Sequence, residues 1–202
     1  MASPKLDIST VDPDPLRQFQ KWFRAAERAG EPEPEAMSVS TSTPNGKPSS
    51  RMVLLRGNDE RGFVFYTNYS SRKGRELDSN RHAALLFWWP LQRRQVRITG
   101  RVKKVSPQES DRYFSQRPAE HRVNAVASPQ SAVIASREEL ERWAAEIRKL
   151  HRADGPRRPK HWGGFRVEPQ EIEFWQQGEH RLHDRIRYRK KNSAWIRERL
   201  AP

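Results

Sequence analysis

Glu173-Phe174-Trp175-Gln176-Gln177-Gly178-Glu179-His180-Arg181-Leu182-His183-Asp184-Arg185 reads as the end of one strand, a turn containing Gly178, and the start of a second strand. If the chain is extended from Arg181, the two-residue period sends Arg181, His183 and Arg185 to one face, and Leu182 and Asp184 to the other. Two permanent cations and one titratable imidazole would then stand in a row. Such a row can hold a planar anionic ligand, exchange protons with it and stabilise negative charge that develops on it. A solvated basic edge strand would look similar. Trp175 and the turn just before the row favour a site.

Working outward, Gly164–Val167 and Glu171–Trp175 read as strands before the turn. Arg181–Tyr188 and Ala194–Leu200 follow it, joined by a turn at Lys190–Ser193. Further upstream, Met37–Thr43 meets Pro44-Asn45-Gly46-Lys47, a strong hairpin signal, before Ser49–Arg56. Asn58–Gly62 turns the chain into Phe63–Thr67, and Ala83–Trp89 and Gln95–Val105 are two further strands. Leu16, Phe19, Trp22, Phe23 and Ala26 lie at helical spacing after Pro15, with Gly30 as the stop. Ser106-Pro107-Gln108-Glu109 and Ser136-Arg137-Glu138-Glu139 are capping boxes, the second opening a helix to about His151. Residues 1–14 are polar and read as a flexible N-terminal arm. Many short strands, three or four helices and no βαβ alternation predict a mainly β protein, an antiparallel barrel with helices packed outside, in a single domain over 15–202.

The bulk properties agree with a domain that needs help with its core. Only 34% of the 202 residues are hydrophobic, and the mean hydropathy is −1.02. A partner subunit or a large cofactor would supply the missing burial. There is no cysteine, which excludes disulfides and thiolate metal sites. The longest apolar run, Ala83–Trp89, is too short to cross a bilayer, and no signal-peptide core precedes the first helix, so a cytoplasmic protein is expected. A net charge of +14 guarantees attraction to polyanions without choosing among them. Neither zinc-finger spacing nor an RNP-type aromatic run accompanies it, so charge alone is a weak case for nucleic acid.

Four further segments could carry chemistry. Arg51-Met52-Val53-Leu54-Leu55-Arg56 is a strand with an Arg at each end, where a phosphate or a ring could sit. Tyr66-Thr67-Asn68-Tyr69-Ser70-Ser71-Arg72-Lys73-Gly74 leaves a strand through hydroxyl residues into a helix start, a setting that suits a phosphate dianion. Tyr113-Phe114-Ser115-Gln116-Arg117 ends the first boxed helix with a Tyr and an Arg four apart, on one face. Ser128-Pro129-Gln130-Ser131 offers amide and hydroxyl groups for ring heteroatoms, or simply a turn. No nucleophile elbow, zincin, Walker or dinucleotide motif occurs, and His180 and His183 lack a carboxylate at a ligand spacing, so no metal site is expected.

In that order, the segments resemble the pyridoxine/pyridoxamine 5′-phosphate oxidase family. The likeness runs from about Asp14 to Pro202. It rests on Arg51–Leu55, Phe65-Tyr66-Thr67-Asn68, Ser71-Arg72-Lys73, Trp162-Gly163-Gly164-Phe165-Arg166, Glu173–Arg185 and the terminal Arg199-Leu200-Ala201-Pro202. The resemblance implies an FMN-binding split β-barrel that acts as a homodimer, with FMN between subunits and the segment from about 160 to 202 serving dimerisation and the active site. It implies that Arg51, Met52, Val53, Leu54, Tyr66, Thr67, Arg72 and Lys73 hold FMN. Gln95, Gln130, Ser131, Trp175 and Arg185 would complete the flavin site, some from the second subunit. Arg56, Tyr113 and Arg117 would meet the substrate phosphate, with His121 either joining them there or standing by as an exposed side chain, while Arg181 and His183 face the pyridine ring as the catalytic pair. The implied reaction passes two electrons and a hydrogen from substrate C4′ to the flavin, and dioxygen is then reduced to hydrogen peroxide. A related phenazine-pathway flavin oxidase is the nearest alternative, and a basic nucleic-acid-binding barrel a more distant one. Departures cluster at the substrate phosphate: Arg56 where Lys is usual, His121 where Ser is common, and Asn124-Ala125-Val126 in place of Gly-Ala-Trp. The Arg-x-x-Tyr pair that some members carry near the N-terminus is also absent.

Overall fold

Alternating burial shows how the strands build the core. The strand Ala36–Ser42 turns Met37, Val39 and Thr41 inward, and His82–Trp89 buries Ala83, Leu85, Phe87 and Trp89 while leaving Leu86 and Trp88 outside. The computed structural model describes residues 6–151, 155–192 and 194–202. In chain order the elements are α1 (Pro15–Arg28), β1 (Ala36–Ser42), β2 (Pro48–Leu54), β3 (Gly57–Asp59), β4 (Gly62–Asn68), α2 (Arg72–Ser79), β5 (His82–Trp89), β6 (Arg94–Lys104) and α3 (Pro107–Ser115). Then come α4 (Ala119–Ala127), α5 (Arg137–His151), β7 (Trp162–Gln176), a 3-10 turn at Glu179–Arg181, β8 (Asp184–Lys191) and β9 (Ala194–Arg199). No helix among the described residues is long and apolar enough to cross a membrane.

The described strands form one antiparallel sheet in the order β2-β1-β5-β6-β7-β4-β3, with β8 added to β7 and β9 to β8. Strand β7 is long enough to serve two neighbours on one edge. Its Trp162–Val167 half pairs with β4 and its Glu171–Gln176 half with β8, while β6 runs along both. The sheet curls: Arg56 N donates to the Val64 carbonyl (2.8 Å) and Leu55 N to that of Glu35 (2.8 Å), drawing the end of β2 toward β4. This is the half-closed antiparallel barrel expected from the strand pattern. Helix α1, capped by Asp14, lays Phe19 against Phe63 (4.8 Å), Phe87 (5.0 Å) and Trp89 (6.0 Å), and Trp22 against Phe174 (5.1 Å). Each such fully buried aromatic stabilises the fold by roughly 1.5–3 kcal/mol.

Five expectations need correction. The arm over 1–14 is not loose from residue 6 onward. Leu6 and Val11 are buried, Leu6 N donates to Asp184 Oδ2 (3.1 Å), and the Tyr188 hydroxyl donates to the Asp12 carbonyl (2.6 Å). Apolar side chains spaced along a polar segment, met by cations of β9, were enough to fasten it; residues 1–5 lie outside the described residues. The two strands Gly164–Val167 and Glu171–Trp175 are one. Pro169 sits opposite Gly100 at a register shift, so the missing amide proton falls where the ladder is already irregular. Gly100 is required there, since a Cβ would lie 2.1 Å from the Glu168 carbonyl oxygen. Helix α4 went unread because Pro118 gives it no side-chain cap and hence no start signal. Helix α3 ends at Ser115, so Arg117 reaches inward from the following loop and does not share a helix face with Tyr113.

The fifth correction falls on Glu179–Arg185. His180 (φ 51°) and Arg181 (φ 66°) are left-handed, within a short turn closed by Leu182 N to the Glu179 carbonyl (2.9 Å). Extended backbone resumes only at Asp184. Arg181, His183 and Arg185 therefore do not line one strand face. Tight reversal onto β7 leaves too few residues for both a turn and the longer strand. The turn expected at Lys190–Ser193 includes Asn192, and Ser193 lies outside the described residues.

Candidate active site

A cavity of about 1010 Å³ opens among β2, β4, the start of α2 and the helices α3, α4 and α5. That is at the upper end of the range for small-molecule sites, enough for a nucleotide-sized ligand together with a small substrate. Arg51, Met52, Val53, Leu54, Arg56, Tyr66, Thr67, Lys73, Tyr113, Arg117, His121 and Gln130 all line it. Twelve of the residues named from sequence thus converge on one space, from segments up to 79 positions apart.

One end of the cavity is a cationic cradle. Lys73, in the first turn of α2, is buried and donates to Thr67 Oγ1 (3.0 Å), Gln130 Oε1 (3.0 Å) and Ser71 Oγ (3.4 Å). Burial, and the nearby Arg51 guanidinium, push its ammonium down to about 8. Ser71 caps the helix by accepting from Gly74 N, which holds the first turn of α2 and Lys73 with it in place. Arg51 donates to Thr41 Oγ1 (2.6 Å) and to Ser49, and burial lowers its pKa as well. Arg72 does not line the cavity; it pairs with Glu76 (2.9 Å).

The other end is aromatic with a second pair of cations. Tyr66 stacks on Tyr113 at 3.8 Å and 7°, with Trp162 parallel at 5.6 Å. Burial, with Glu109 nearby, pushes the Tyr66 phenol up to about 12, so it remains a hydrogen-bond donor. Arg117 lies 4.8 Å above the Trp162 ring, and its Nη1 is buried with no hydrogen-bond partner among the described residues. Desolvation, and the proximity of Arg56, lower its pKa. An unpaired buried guanidinium nitrogen is costly and fits a site that receives an anion.

The remaining candidates lie elsewhere in the chain. Gln95, Trp175 and Arg185 are cross-strand neighbours on β6, β7 and β8, forming a row of their own. His183 packs on Trp175 with ring centroids 4.7 Å apart, and its Nδ1 accepts from Gly178 N (3.3 Å). Arg185 donates to Glu173 (2.8 Å) and to the Ala201 carbonyl (2.8 Å). Arg181 is exposed on the turn, and Ser131 (φ 73°) follows Gln130 without lining the cavity. One chain thus carries two separate groups, the cavity and the Trp175 row. The sequence reading missed Trp162 and Asn68 as cavity walls, Trp88 at 6.1 Å from Trp175, and Glu76. Glu76 had a signal: it lies four residues after Arg72 on one helix.

The residues present fit FMN. The cradle offers cations, a hydroxyl and a side-chain amide, groups that suit a phosphate dianion, and its buried ammonium has no anionic partner among the described residues. Beyond it, apolar Met52, Val53 and Leu54 edge a space wide enough for a ring system.

Two family models cover the chain. One, described as pyridoxamine 5′-phosphate oxidase, matches residues 23–151, and another, the pyridoxine 5′-phosphate oxidase C-terminal dimerisation region, matches residues 162–202. Pyridoxine/pyridoxamine 5′-phosphate oxidase from a Nostoc species is 56% identical over 95% of this chain and 90% of its own length. The Rubrobacter xylanophilus protein of the same name is 53% identical over 95% and 88%. Among solved structures, PhzG from Burkholderia lata in complex with tetrahydrophenazine-1-carboxylic acid superposes with a TM-score of 0.92 at 33% identity, over 96% of this chain and 95% of that one. A pyridoxamine 5′-phosphate oxidase-related, FMN-binding protein from Nostoc punctiforme shares the fold, with a TM-score of 0.75 at 17% identity over 95% of this chain and 100% of that one. The convergence of twelve candidate residues and both family matches lead to one assignment: the chain belongs to the pyridoxamine 5′-phosphate oxidase family.

Proposed function

We propose that the chain is an FMN-dependent oxidase that converts pyridoxamine 5′-phosphate and pyridoxine 5′-phosphate to pyridoxal 5′-phosphate. The observation that carries this reading is the pair of cationic groups in one cavity: Arg51 with Lys73 at one end, and Arg56 with Arg117 at the other. Two phosphates are to be held, one on the cofactor and one on the substrate. When bound, FMN supplies a two-electron acceptor for the hydride leaving substrate C4′, with dioxygen as the final oxidant. Pyridoxine 5′-phosphate and dioxygen give the aldehyde and hydrogen peroxide; the amine also consumes water and releases ammonia.

The protein's part is binding and orientation. Arg51, Thr67, Lys73 and Gln130 hold the cofactor phosphate, with Arg72 behind them, and Met52, Val53 and Leu54 bound the ring. Arg56, Tyr113, Arg117 and His121 hold the substrate phosphate, fixing the pyridine for transfer. The chain forms a homodimer through residues 162–202, the region that matches the dimerisation model. Gln95, Trp175 and Arg185 complete the flavin site from the partner subunit, with Ser131 beside Gln130. Arg181 and His183, on the turn before Arg185, cover the substrate ring, where Arg181 favours negative charge and His183 can hold a proton. One domain, residues 15–202, carries both halves.

A second reading keeps the flavin and changes the substrate to a reduced phenazine precursor. Arg56, His121 and Asn124 on the cavity wall favour it, because the departures from the family pattern gather there. Steady-state peroxide release with pyridoxamine 5′-phosphate, pyridoxine 5′-phosphate and a reduced phenazine precursor separates the two. Turnover of the B6 phosphates is expected; turnover of the phenazine precursor alone would reverse the assignment.

A further inference from the structure

Behind the phosphate cradle stands a carboxylate that does not reach the cavity. Glu76 is 5% exposed; burial alone would raise its pKa, but the donors around it hold the carboxyl down at about 2. The hydroxyls of Thr41 and Ser49 both donate to Oε2, the latter at 2.6 Å, and Arg72 Nε donates to Oε1 at 2.9 Å. Arg51 Nη2 lies 3.5 Å from Oε2. The two hydroxyls also accept from Arg51, one from each terminal nitrogen. A guanidinium can only donate and a carboxylate can only accept, so the proton direction in both relays is fixed: Arg51 to hydroxyl, hydroxyl to Glu76. Arg51 is therefore held by Glu76 twice through relays and once directly, and its Nη1 also donates to the Val39 carbonyl (3.1 Å). Arg72 is held by the other carboxylate oxygen.

We infer that Glu76 is a positioning residue for cofactor-phosphate binding, which locks the Arg51 and Arg72 guanidinium groups and sets the charge of the cradle. Glu76 binds two cations, Arg51 on the cavity wall and Arg72 behind it, while Lys73 has no anionic partner among the described residues and is left for a phosphate dianion to neutralise. Removing the anion would leave three like charges in close proximity and loosen the Arg51 guanidinium, which would keep its bond to the Val39 carbonyl but lose the carboxylate that orders both hydroxyl relays. Preorganisation of this kind lowers the ordering cost at the moment of binding. The inference rests on the oxidase reading of the cavity, in which FMN is the ligand.

The test compares FMN with riboflavin, which has the same ring and no phosphate. Full-length dimer stripped of flavin is titrated with each, following quenching of flavin fluorescence, in wild type, Glu76→Gln and the double variant Thr41→Val/Ser49→Ala. Thermal unfolding of the stripped proteins reports whether each variant folds. Glu76→Gln is expected to weaken FMN on the order of 10- to 100-fold, the scale on which partners of ligating side chains act at metal sites, and riboflavin by less than about threefold. The relay variant, which keeps the charge and loses both hydroxyls, is expected to fall between wild type and Glu76→Gln for FMN alone. Equal weakening of FMN and riboflavin, or unchanged FMN affinity in a folded Glu76→Gln protein, would overturn the inference. If Glu76→Gln does not fold, the relay variant decides by the same comparison. Wild-type protein that takes up neither flavin would instead sink the oxidase reading itself.

Discussion

Lys73 shows how the site and the fold work against each other. Its ammonium is depressed to about 8 by burial and by Arg51, so the unfolded chain binds a proton more tightly than the folded one. The stability penalty is present below about 8 and disappears as pH rises toward the free-lysine value. A phosphate dianion reverses the preference, because it needs the charged form. FMN binding should therefore take up a proton near pH 8, and affinity should fall above it by up to about tenfold per pH unit. Titrations from pH 7 to 9.5 check this; a flat profile would remove Lys73 from the phosphate site. At the other end of the cavity, His121→Ser tests the altered phosphate pocket. The Michaelis constant for pyridoxamine 5′-phosphate should change severalfold with turnover nearly kept, as expected for a group that binds ground and transition states alike. An unchanged constant would make His121 a bystander. The convergence of such residues on one cavity was legible because candidate phosphate ligands are marked by side-chain type: Arg, Lys and hydroxyls close to a helix start. Glu76 and the unpaired Arg117 nitrogen were not legible as such, since burial and partner geometry decide their roles.

At the scale of elements, β7 carries most of the arrangement. Its first half walls the cavity at Trp162, and its second half holds Trp175. Gly164 makes that first half possible: a Cβ there would lie 2.7 Å from Val105 Cγ2 and 2.8 Å from Tyr66 Cε1. Gly164→Ala should therefore cost about 1–3 kcal/mol of stability in denaturant unfolding, the usual range for overpacking, and weaken substrate binding by displacing Tyr66 from Tyr113. Normal stability and normal binding would show that the aromatic stack can slide freely. Strand and helix positions were largely readable from alternation and caps, as at β5 and α3. What failed was readable only in three dimensions. The chain reverses at Gly178–Arg181 through left-handed His180 and Arg181, a conformation uncommon for any residue but Gly, even though His adopts it more often than most. Gly164–Val167 and Glu171–Trp175 read as two strands, yet the ladder runs through both, with Pro169 at an irregularity opposite Gly100. Residues 6–14 looked loose, but β8 and β9 supply partners for their backbone, as with the Arg197 bond to the Ile8 carbonyl (3.1 Å).

For the whole molecule, the decisive feature is that the cavity and the Trp175 row are separate within one chain. A twofold dimer built from residues 162–202 would offer each cavity the partner's row, and the lean core is what a chain that completes itself in a dimer needs. Mixed dimers test this. Lys73→Ala protomers and Trp175→Ala/Arg185→Ala protomers should each bind FMN poorly alone. A heterodimer of the two keeps one intact pairing, so it should regain about one FMN per dimer. No recovery on mixing would mean that each site is built within a single protomer. Composition foretold this need for a partner but could not name it, because a low hydrophobic fraction is met equally by a subunit or a cofactor.

The central claim is that the cavity holds FMN and uses it to oxidise a B6 phosphate. The most direct measurement is the visible spectrum of the purified dimer, followed anaerobically as pyridoxamine 5′-phosphate is added. A yellow protein with one flavin per chain should bleach on substrate addition and recover its colour, with peroxide, when air is admitted. A folded protein that stays colourless in excess FMN, or a yellow one that no B6 phosphate bleaches, would contradict the account.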